Sequence, residues 1–261
     1  MLIDTHAHVT FDELVSQGIE NVINRAKSVG VGKIINIGCD IKSSEDTVKF
    51  ADENEIFYAT VGLHPYDAGQ ASDELMDEWK KLILENKKIV GVGECGLDYF
   101  KAKIPQDVQK SAFRLQIDLA KSVGVPLIVH CRDAYEDCLE ILDEKFDWDG
   151  KNIGIVFHCY SGTLEFAEKL WGRGIVTSFT GIVTYPNAKD VQEVARNVPM
   201  DMFMVETDCP YLAPQKFRGQ TNEPAFVSEV AQKIAEIKGI SYEEICEKST
   251  ENAKRFFERL F

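Results

Sequence analysis

The sequence predicts an α/β protein built as a single (β/α)8 barrel, and three observations support this fold class. Eight short apolar segments alternate with helical patterns along the chain. The length of 261 residues is typical of one such barrel. Each histidine also falls near the carboxyl end of a predicted strand. A doubly wound open sheet is the alternative architecture, but no G-x-G-x-x-G sequence follows the first strand to favour it.

The first half of the chain gives four strand–helix units. Gly30 and Gly32 close the first predicted helix, and buried apolar runs mark the strands. The fourth helix carries Ala112, Leu115 and Leu119 at helical spacing on one face. The predicted strands of this half cover residues 3–9, 33–38, 56–62 and 89–93, and the predicted helices cover residues 11–30, 43–54, 72–88 and 105–124.

The second half repeats the same alternation. Its predicted strands cover residues 126–129, 154–157, 175–179 and 202–205, and its helices cover residues 133–146, 163–174, 187–198 and 223–238. A final helix begins at the capping-box sequence of residues 241–244. Because no linker, low-complexity tract or charge block interrupts the pattern, we expect one domain that spans residues 1–261.

Composition limits the classes of function. The net charge of −14 argues against broad binding to a polyanion, so any nucleic acid must be held locally, where bound divalent cations would reverse the sign of the field. No apolar run approaches transmembrane length, and no membrane association is expected. Seven cysteines without C-x-x-C spacing predict reduced thiols and a cytoplasmic location. They are expected to be small buried residues; a cysteine ligand is the weaker alternative.

The candidate functional residues end the predicted strands. His6 and His8 lie two apart on the first strand, so their side chains share one face. The carboxyl ends of all eight strands open onto one face of a barrel, which is where this fold places its sites. We therefore predict that the following side chains meet at one mouth as metal ligands: His6, His8, Glu94, His130, His158 and Asp208.

These ligand types fit two divalent metal ions, which could be Mg²⁺, Mn²⁺ or Zn²⁺. We assign His6, His8, Glu94 and Asp208 to one ion, and Glu94, as the bridge, His130 and His158 to the other. Two ions bridged by a carboxylate can present a bound hydroxide and neutralise the charge that develops on a substrate. The predicted reaction class is hydrolysis.

Four neighbouring side chains are candidates for catalytic roles. Asp208 is a candidate for orienting the attacking water as well as for ligation. Glu206 lies two residues before Asp208, so the two side chains are expected on the same face. Glu206 is either a base or a hydrogen-bond partner of a ligand histidine. Arg132 could bind a phosphate or carboxylate, or form a salt bridge to Glu94 or Glu206. His64 fits a substrate contact, a leaving-group acid or a hydrogen bond that fixes its loop.

The sequence resembles the TatD family of metal-dependent deoxyribonucleases, within the wider amidohydrolase-like barrels. The resemblance rests on DTHAH at residues 4–8, GLHP at 62–65, GECGLDY at 93–99, HCRDA at 130–134, HCYSG at 158–162, ETDCPYLAP at 206–214, RG at 218–219 and NEP at 222–224. It implies a single barrel that uses two divalent ions to cut phosphodiester bonds, often from the 3′ end of DNA, and it implies the same six ligands. Gln220 stands where the family more usually has lysine, which removes one positive charge near the expected phosphate path.

The leading hypothesis is therefore a deoxyribonuclease, a 3′–5′ exonuclease in which a metal-bound hydroxide attacks phosphorus. DNA, as single strands or 3′ ends, is the expected substrate, no obligate protein partner is evident, and a monomer is expected. The alternative is hydrolysis of a carbonyl substrate (an ester, lactone, amide or aminoacyl-tRNA) at the same site. A metal-dependent scaffold or sensor is the third hypothesis. Further candidates for holding the DNA backbone are Lys101, Lys103, Lys216 and Arg218.

Overall fold

The structure is a computed structural model that describes residues 1–150 and 152–260. Its eight strands are parallel and follow one another around a single sheet in chain order. Strands β1 to β8 are Leu2–Ala7, Val31–Asn36, Phe57–Val61, Ile89–Asp98, Leu127–Arg132, Ile155–Phe157, Val176–Phe179 and Phe203–Val205.

Helices alternate with these strands and pack around them. Helices α1 to α10 are Asp12–Val15, Ile19–Ser28, Ile41–Glu53, Asp73–Glu85, Gln106–Val123, Tyr135–Lys145, Leu164–Trp171, Lys189–Asn197, Val227–Lys238 and Tyr242–Phe256. Short 3₁₀ helices lie at Pro65–Gln70, Gly181–Thr184, Gln215–Phe217, Pro224–Phe226 and Glu258–Leu260. Within the described residues, none of these helices has both the length and the apolar character needed to cross a membrane.

The last strand returns to the first at the carboxyl ends of both. Ala7 and Cys209 form a parallel bridge there. The amide of Asp208 donates to the carbonyl of His6 at 2.9 Å, and the amide of His8 donates to the carbonyl of Cys209 at 2.8 Å. The predicted (β/α)8 barrel is thereby confirmed. We call this junction of β1 with the segment after β8 the seam.

Two predicted elements differ from the structure. The prediction of one helix over residues 11–30 is wrong, because the chain breaks into α1 and α2 at Gly18, whose φ of +82° is incompatible with a continuous right-handed helix. Strand β4 runs to Asp98, five residues beyond the predicted end at residue 93. Glu94 consequently lies within the strand and not after it.

The hydrophobic core has two layers. Inside the barrel, Ile3, Ile35 and Val90 pack with residues of the other strands. Phe256 and Phe257, at the end of α10, pack against them. The larger layer lies between the strands and the surrounding helices. Because these side chains fill the barrel at the amino-terminal ends of the strands, its open mouth lies at their carboxyl ends.

Register irregularities in β1 and β4 determine which side chains face the mouth. Ile3 packs inside the barrel, whereas Ala7 and Val9 pack against the helices. Strict alternation from Ile3 would turn Ala7 inward, but a register shift between Asp4 and Ala7 moves the alternation by one residue. His6 and His8 face inward as a result. A similar shift in β4 falls between Val92 and Cys95, around Glu94.

Candidate metal centre

The side chain of Glu94 lies at the middle of the mouth, and each of the five histidines has a ring nitrogen within 3.8 Å of one of its two oxygens. It is 4% exposed, and burial alone would raise its pKa. The imidazoles of His158, His130 and His6 outweigh burial and hold the pKa of Glu94 well below its usual value. Glu94 is therefore an ionised carboxylate with one oxygen directed to each of two groups of donors.

The first group of donors lies on the Oε2 side of Glu94 and joins β1 to the segment after β8. His6 Nε2 is 3.4 Å and His8 Nε2 is 3.8 Å from Glu94 Oε2. Asp208 Oδ1 is 3.7 Å from His6 Nε2 and 3.3 Å from His8 Nε2. We call these four side chains, His6, His8, Glu94 and Asp208, the first subsite.

The second group of donors lies on the Oε1 side. His130 Nδ1 and His158 Nε2 are each 2.8 Å from Glu94 Oε1, and 3.4 Å from each other. Gly96, between Glu94 and Asp98 on β4, has a φ of +135°, and a β-carbon there would collide with the carbonyl oxygen of His130. The absence of a side chain at this position lets β4 and β5 approach. We call Glu94, His130 and His158 the second subsite.

Three of these histidines have an acceptor near the ring nitrogen that does not face the centre. His8 Nδ1 lies 3.2 Å from the carbonyl oxygen of Ile37, which assigns the hydrogen to Nδ1 and leaves the Nε2 lone pair directed inward. His130 Nε2 is 3.2 Å from Asp98 Oδ2, and His158 Nδ1 is 3.6 Å from Glu206 Oε1. Outer acceptors of this kind orient histidines that bind metals.

The geometry of the first subsite fits a divalent ion. Ligand atoms ~2.1 Å from a tetrahedral ion lie about 3.4 Å from one another, and the four distances between its donor atoms run from 3.3 to 3.8 Å. His6 is completely buried, and neither of its ring nitrogens has a hydrogen-bond partner among the described residues. A buried imidazole without a partner is costly unless something else takes its lone pair. The residues of the first subsite therefore suit a divalent ion.

His64 lies at the edge of the second subsite. Its Nδ1 accepts a hydrogen bond from the amide of Tyr66 at 3.2 Å, which caps the 3₁₀ helix Pro65–Gln70. The neutral ring then carries its hydrogen on Nε2, 3.6 Å from Glu94 Oε1. Burial lowers the pKa of His64 to about 3, so the ring is neutral at physiological pH. Of the three predicted roles, the hydrogen bond that fixes the loop is present, and a free N–H still faces the centre.

Glu206 and Arg132 take up different positions. Glu206 is 1% exposed and lies behind His158, and its Oε1 accepts a hydrogen bond from the amide of Cys159 at 2.7 Å. The same oxygen is 3.6 Å from His158 Nδ1, which has no hydrogen-bond partner among the described residues, so both predicted roles of Glu206 stay predictions. Among the described residues, Arg132 forms no salt bridge to Glu94 or Glu206; its guanidinium lies 4.1 Å from the ring centre of Phe100.

Asp98 and Cys39 are site residues that the sequence analysis did not single out. Asp98 contacts His130 and also accepts a hydrogen bond from the hydroxyl of Tyr66 at 3.2 Å. The available signal was its spacing, because residues 94, 96 and 98 share one face of a strand. Cys39 Sγ lies 3.6 Å from Glu94 Oε2. It is one of the seven cysteines, and the sequence did not distinguish it from the others.

Comparison with known proteins points to one family. The model of the family described as TatD-related DNase matches residues 3–258. An uncharacterized metal-dependent hydrolase, YabD, of Bacillus subtilis is 42% identical over 257 residues, which cover 98% of this chain and 99% of that protein. A protein of Pantoea vagans named 3′-5′ ssDNA/RNA exonuclease TatD is 30% identical over 244 residues, covering 91% of this chain and 92% of that one.

Solved structures share the architecture. The crystal structure of YjjV, a TatD homologue from Escherichia coli, has a TM-score of 0.91 and 29% sequence identity, and the match covers 98% of each chain. A TatD family hydrolase from Entamoeba histolytica has a TM-score of 0.85 at 23% identity, which bears on the fold alone. In both cases the match extends over nearly the whole barrel.

Proposed function

Because the chain belongs to the family of TatD-related DNases and is a metal-dependent hydrolase, we propose that it cleaves phosphodiester bonds of DNA. The proposed activity is that of a deoxyribonuclease that removes nucleotides from the 3′ end of single strands. The relative from Pantoea vagans, whose name states a 3′–5′ exonuclease activity, supports this proposal. The observation that carries it lies on this chain, in the aromatic side chains around the mouth.

Within residues 1–150 and 152–260, the exposed aromatic rings lie in the loops of the mouth. Of the seven large hydrophobic side chains that are exposed in the described residues, the three aromatic ones are Tyr66, Phe100 and Tyr211, with exposures of 44, 58 and 51%. They follow β3, β4 and β8 respectively. Phe11, after β1, has its ring centre 6.3 Å from that of Tyr211 and stacks on His8 at 5.0 Å. We call Phe11, Tyr66, Phe100 and Tyr211 the aromatic rim.

The aromatic rim suits the unpaired bases of a single strand. Stacking of a base on an aromatic side chain contributes about 1–3 kcal/mol and tolerates any sequence. Two guanidinium groups lie over aromatic rings near the mouth and add positive charge: Arg132 over Phe100 at 4.1 Å and Arg218 over Tyr185 at 4.3 Å. A chain with a net charge of −14 has to hold a polyanion by local contacts of this kind.

The residues of the centre have separate roles in this proposal. When bound, two divalent ions supply an activated water and Lewis acidity that neutralises charge on the phosphate. Glu94 would connect the two subsites by offering one oxygen to each. Asp208 directs Oδ1 to the histidines, which leaves Oδ2 to orient the attacking water. His64 would donate a hydrogen bond from its Nε2–H group to a phosphate or leaving-group oxygen and keep the proton.

The proposed working unit is one barrel domain of residues 1–261 that acts as a monomer. All seven cysteines are unpaired thiols, and this supports the proposal of a reducing, cytoplasmic compartment. The two ions are proposed as Mg²⁺, Mn²⁺ or Zn²⁺, since imidazole and carboxylate donors together accept each of them.

The test uses single-stranded DNA that carries a fluorescent label at either its 3′ or its 5′ end. The protein is stripped of metal, reloaded with Mg²⁺, Mn²⁺ or Zn²⁺, and incubated with each labelled strand. We expect metal-dependent release of mononucleotides from the 3′ end, and no release by the His130→Ala variant. If the protein binds these ions but cleaves DNA in the presence of none of them, the nuclease proposal is wrong. The next substrates are then carbonyl compounds, beginning with aminoacyl-tRNA, and inactivity on all of them would favour a scaffold.

The aromatic rim is tested by Tyr211→Ala. Loss of one stacking platform should raise KM for single-stranded DNA about tenfold, which lies within the stacking range, with kcat nearly unchanged. Leu84→Ala is the control, because Leu84 is 52% exposed on α4, away from the mouth. An unchanged KM in Tyr211→Ala would remove the rim as the argument for a polynucleotide substrate.

A further inference from the structure

One thiol faces the first subsite. Cys39 follows β2 and is half-buried, and its Sγ lies 3.6 Å from Glu94 Oε2 and 3.6 Å from His8 Nδ1. We propose that Cys39 is a sulfur ligand of the first subsite and makes that subsite selective for a soft divalent ion such as zinc. This inference rests on the metal centre of the proposed function and adds a donor that the sequence analysis did not assign.

The distance from sulfur to the carboxylate is that of two ligands on one ion. A thiolate binds zinc at ~2.3 Å and a carboxylate oxygen binds it at ~2.1 Å. With the sulfur as a fifth ligand, angles of about 90–120° at the ion would place the two atoms about 3.1–3.8 Å apart. Cys39 Sγ and Glu94 Oε2 are separated by 3.6 Å. Oε2 is also the oxygen nearest His6 and His8. The sulfur therefore approaches the first subsite and not the second.

His6 gives independent evidence that a ligand belongs at this position. It is completely buried, its two ring nitrogens have no hydrogen-bond partner among the described residues, and Nε2 lies 3.4 Å from the same Glu94 Oε2. Cys39 and His6 thus approach one carboxylate oxygen from different strands. The thiol donates a hydrogen bond to this oxygen. An ion there would satisfy the imidazole and take the place of the thiol hydrogen.

The backbone of Cys39 is held in place by the start of α3. Its amide donates to Ser43 Oγ at 2.8 Å, and Ser43 and Asp40 form a reciprocal capping box at the helix terminus. His8 Nδ1 is 3.2 Å from the carbonyl of Ile37 and directs its hydrogen there. The sulfur is therefore not needed as the acceptor of that hydrogen. On ligation the S–H bond would break, the proton would pass to solvent, and the sulfur lone pair would bind the ion.

The other cysteines near the mouth have different surroundings. Cys159 is half-buried like Cys39, but its Sγ contacts the hydroxyl of Thr180 at 3.4 Å. Cys95 is fully buried, and its Sγ is directed to the carbonyl of Ile128 at 3.6 Å. Thiolate sulfur favours zinc and cobalt over magnesium and manganese. Cys39 would consequently set the metal preference, and Cys159 provides a matched control.

The test is absorption spectroscopy of the full chain loaded with Co²⁺. Cobalt bound by a thiolate gives a charge-transfer band in the near ultraviolet in addition to the visible bands of any bound cobalt. We expect this band in the wild type and in Cys159→Ser. In Cys39→Ser and Cys39→Ala we expect it to disappear while the visible bands remain. Zinc affinity of the Cys39 variants should fall ~10- to 100-fold, and manganese affinity should change little.

The outcomes of this test distinguish failure of the sulfur ligand from failure of the metal centre on which it rests. Visible cobalt bands without a charge-transfer band in the wild type would overturn the sulfur ligand and leave the metal centre intact. The same conclusion follows if Cys39→Ser retains the band. Absence of any cobalt binding would overturn both the centre and the ligand. Because the wild-type spectrum alone can reject the ligand, the test stands even if a variant folds poorly.

Discussion

At the scale of single residues, the carboxylates behind the histidines should control the chemistry without binding the ions. Asp98 lies beside His130 and Glu206 lies beside His158, each on the side away from Glu94. An acceptor in this position fixes which ring nitrogen carries the hydrogen and how the ring is oriented. Changes at these carboxylates should therefore affect rate and metal affinity more than substrate binding.

Replacement of Glu206 by glutamine removes the charge behind His158 but keeps an oxygen for the amide of Cys159. We expect kcat on DNA to fall ~10- to 100-fold at saturating metal, while two ions remain bound and KM stays near the wild-type value. Steady-state kinetics with metal analysis of the same samples checks this. Glu206→Ala also strands that buried amide and should lose a further 1–3 kcal/mol of folding free energy, roughly. Full activity in both variants would contradict the assigned role.

Replacement of Asp98 by asparagine keeps the shape of the side chain and an oxygen for the amides of Phe100 and Lys101. It removes the carboxylate beside His130 Nε2, so we expect affinity for the second ion to fall ~10- to 100-fold. Isothermal titration of metal-free protein measures this. Tyr66→Phe is the control, because it deletes only the hydroxyl that binds Asp98, and its metal affinity should stay within about threefold of the wild type. Equal losses in both variants would show that the loop, and not the carboxylate, matters.

The sequence predicted where the histidines of the centre lie, but not which residues support them. That these histidines bind metal stays a prediction. His6, His8, His130 and His158 were assigned by the rule that polar residues at carboxyl ends of strands meet at the mouth, and the structure places all four around Glu94. Asp98 and Cys39 could not be assigned in this way. The position of Asp98 depends on how far β4 extends and on how its register shifts, and that of Cys39 depends on the path of the chain between β2 and α3. Both follow from packing that a single sequence does not reveal.

At the scale of elements, α5 connects two mouth loops through a pair of buried glutamines. Gln109 and Gln116 are seven residues apart, hence on one face of the helix, and each is 1% exposed. Gln116 accepts from the amide of Leu63 at 2.7 Å and donates to its carbonyl at 3.1 Å. Gln109 makes the same pair of bonds with Asp98, at 2.9 and 3.2 Å. One helix thereby satisfies the backbone beside His64 and at Asp98.

Replacement of Gln116 by leucine should strand the amide and carbonyl of Leu63 away from water. Each buried unpaired group costs about 1–3 kcal/mol, so we expect a loss of roughly 2–4 kcal/mol in the free energy of unfolding. Urea denaturation measures it. Gln106→Leu is the control on the same helix, because Gln106 is exposed and should change stability by less than about 0.5 kcal/mol. Similar midpoints for the two variants would refute the role of Gln116.

The elements themselves were predicted unevenly. The helix expected over residues 105–124 is α5, Gln106–Val123, because its apolar face and the glycine after it are local signals. The helix expected over residues 11–30 fails at Gly18, where turn geometry prevails over the apolar pattern. The buried glutamines were not anticipated, because a hydrophobicity pattern treats glutamine as a surface residue, whereas here a loop backbone supplies its partners.

At the scale of the whole molecule, metal binding should stabilise the fold. The donors of both subsites come from β1, β4, β5 and the segments after β6 and β8, so ions would connect distant parts of the chain. Binding that is confined to the native state adds free energy of unfolding in proportion to the logarithm of ion concentration. Without ions, the buried histidines and carboxylates of the centre have only one another as partners in these contacts.

Removal of metal should therefore lower the Tm. An ion present at ~100 times its Kd adds about 2.7 kcal/mol, which for a chain of this size corresponds to roughly 5–10 °C. Differential scanning calorimetry of chelated and reloaded protein checks this expectation. Glu94→Gln should show little dependence on added metal, because it weakens the carboxylate shared by both subsites. A Tm in the wild type that is indifferent to metal would argue against ions bound within the fold.

The seam determines when the first subsite can form during synthesis of the protein. Asp208 and His6 contact each other's backbone where the last part of the barrel meets the first, and Thr207 donates its hydroxyl and amide to the Asp4 carboxylate at 2.6 and 2.9 Å. During synthesis, the histidines of β1 leave the ribosome about two hundred residues before these partners. The first subsite is therefore incomplete in every nascent chain or proteolytic fragment that lacks residues 206–209. Hydrolytic activity should therefore arise only in a finished barrel.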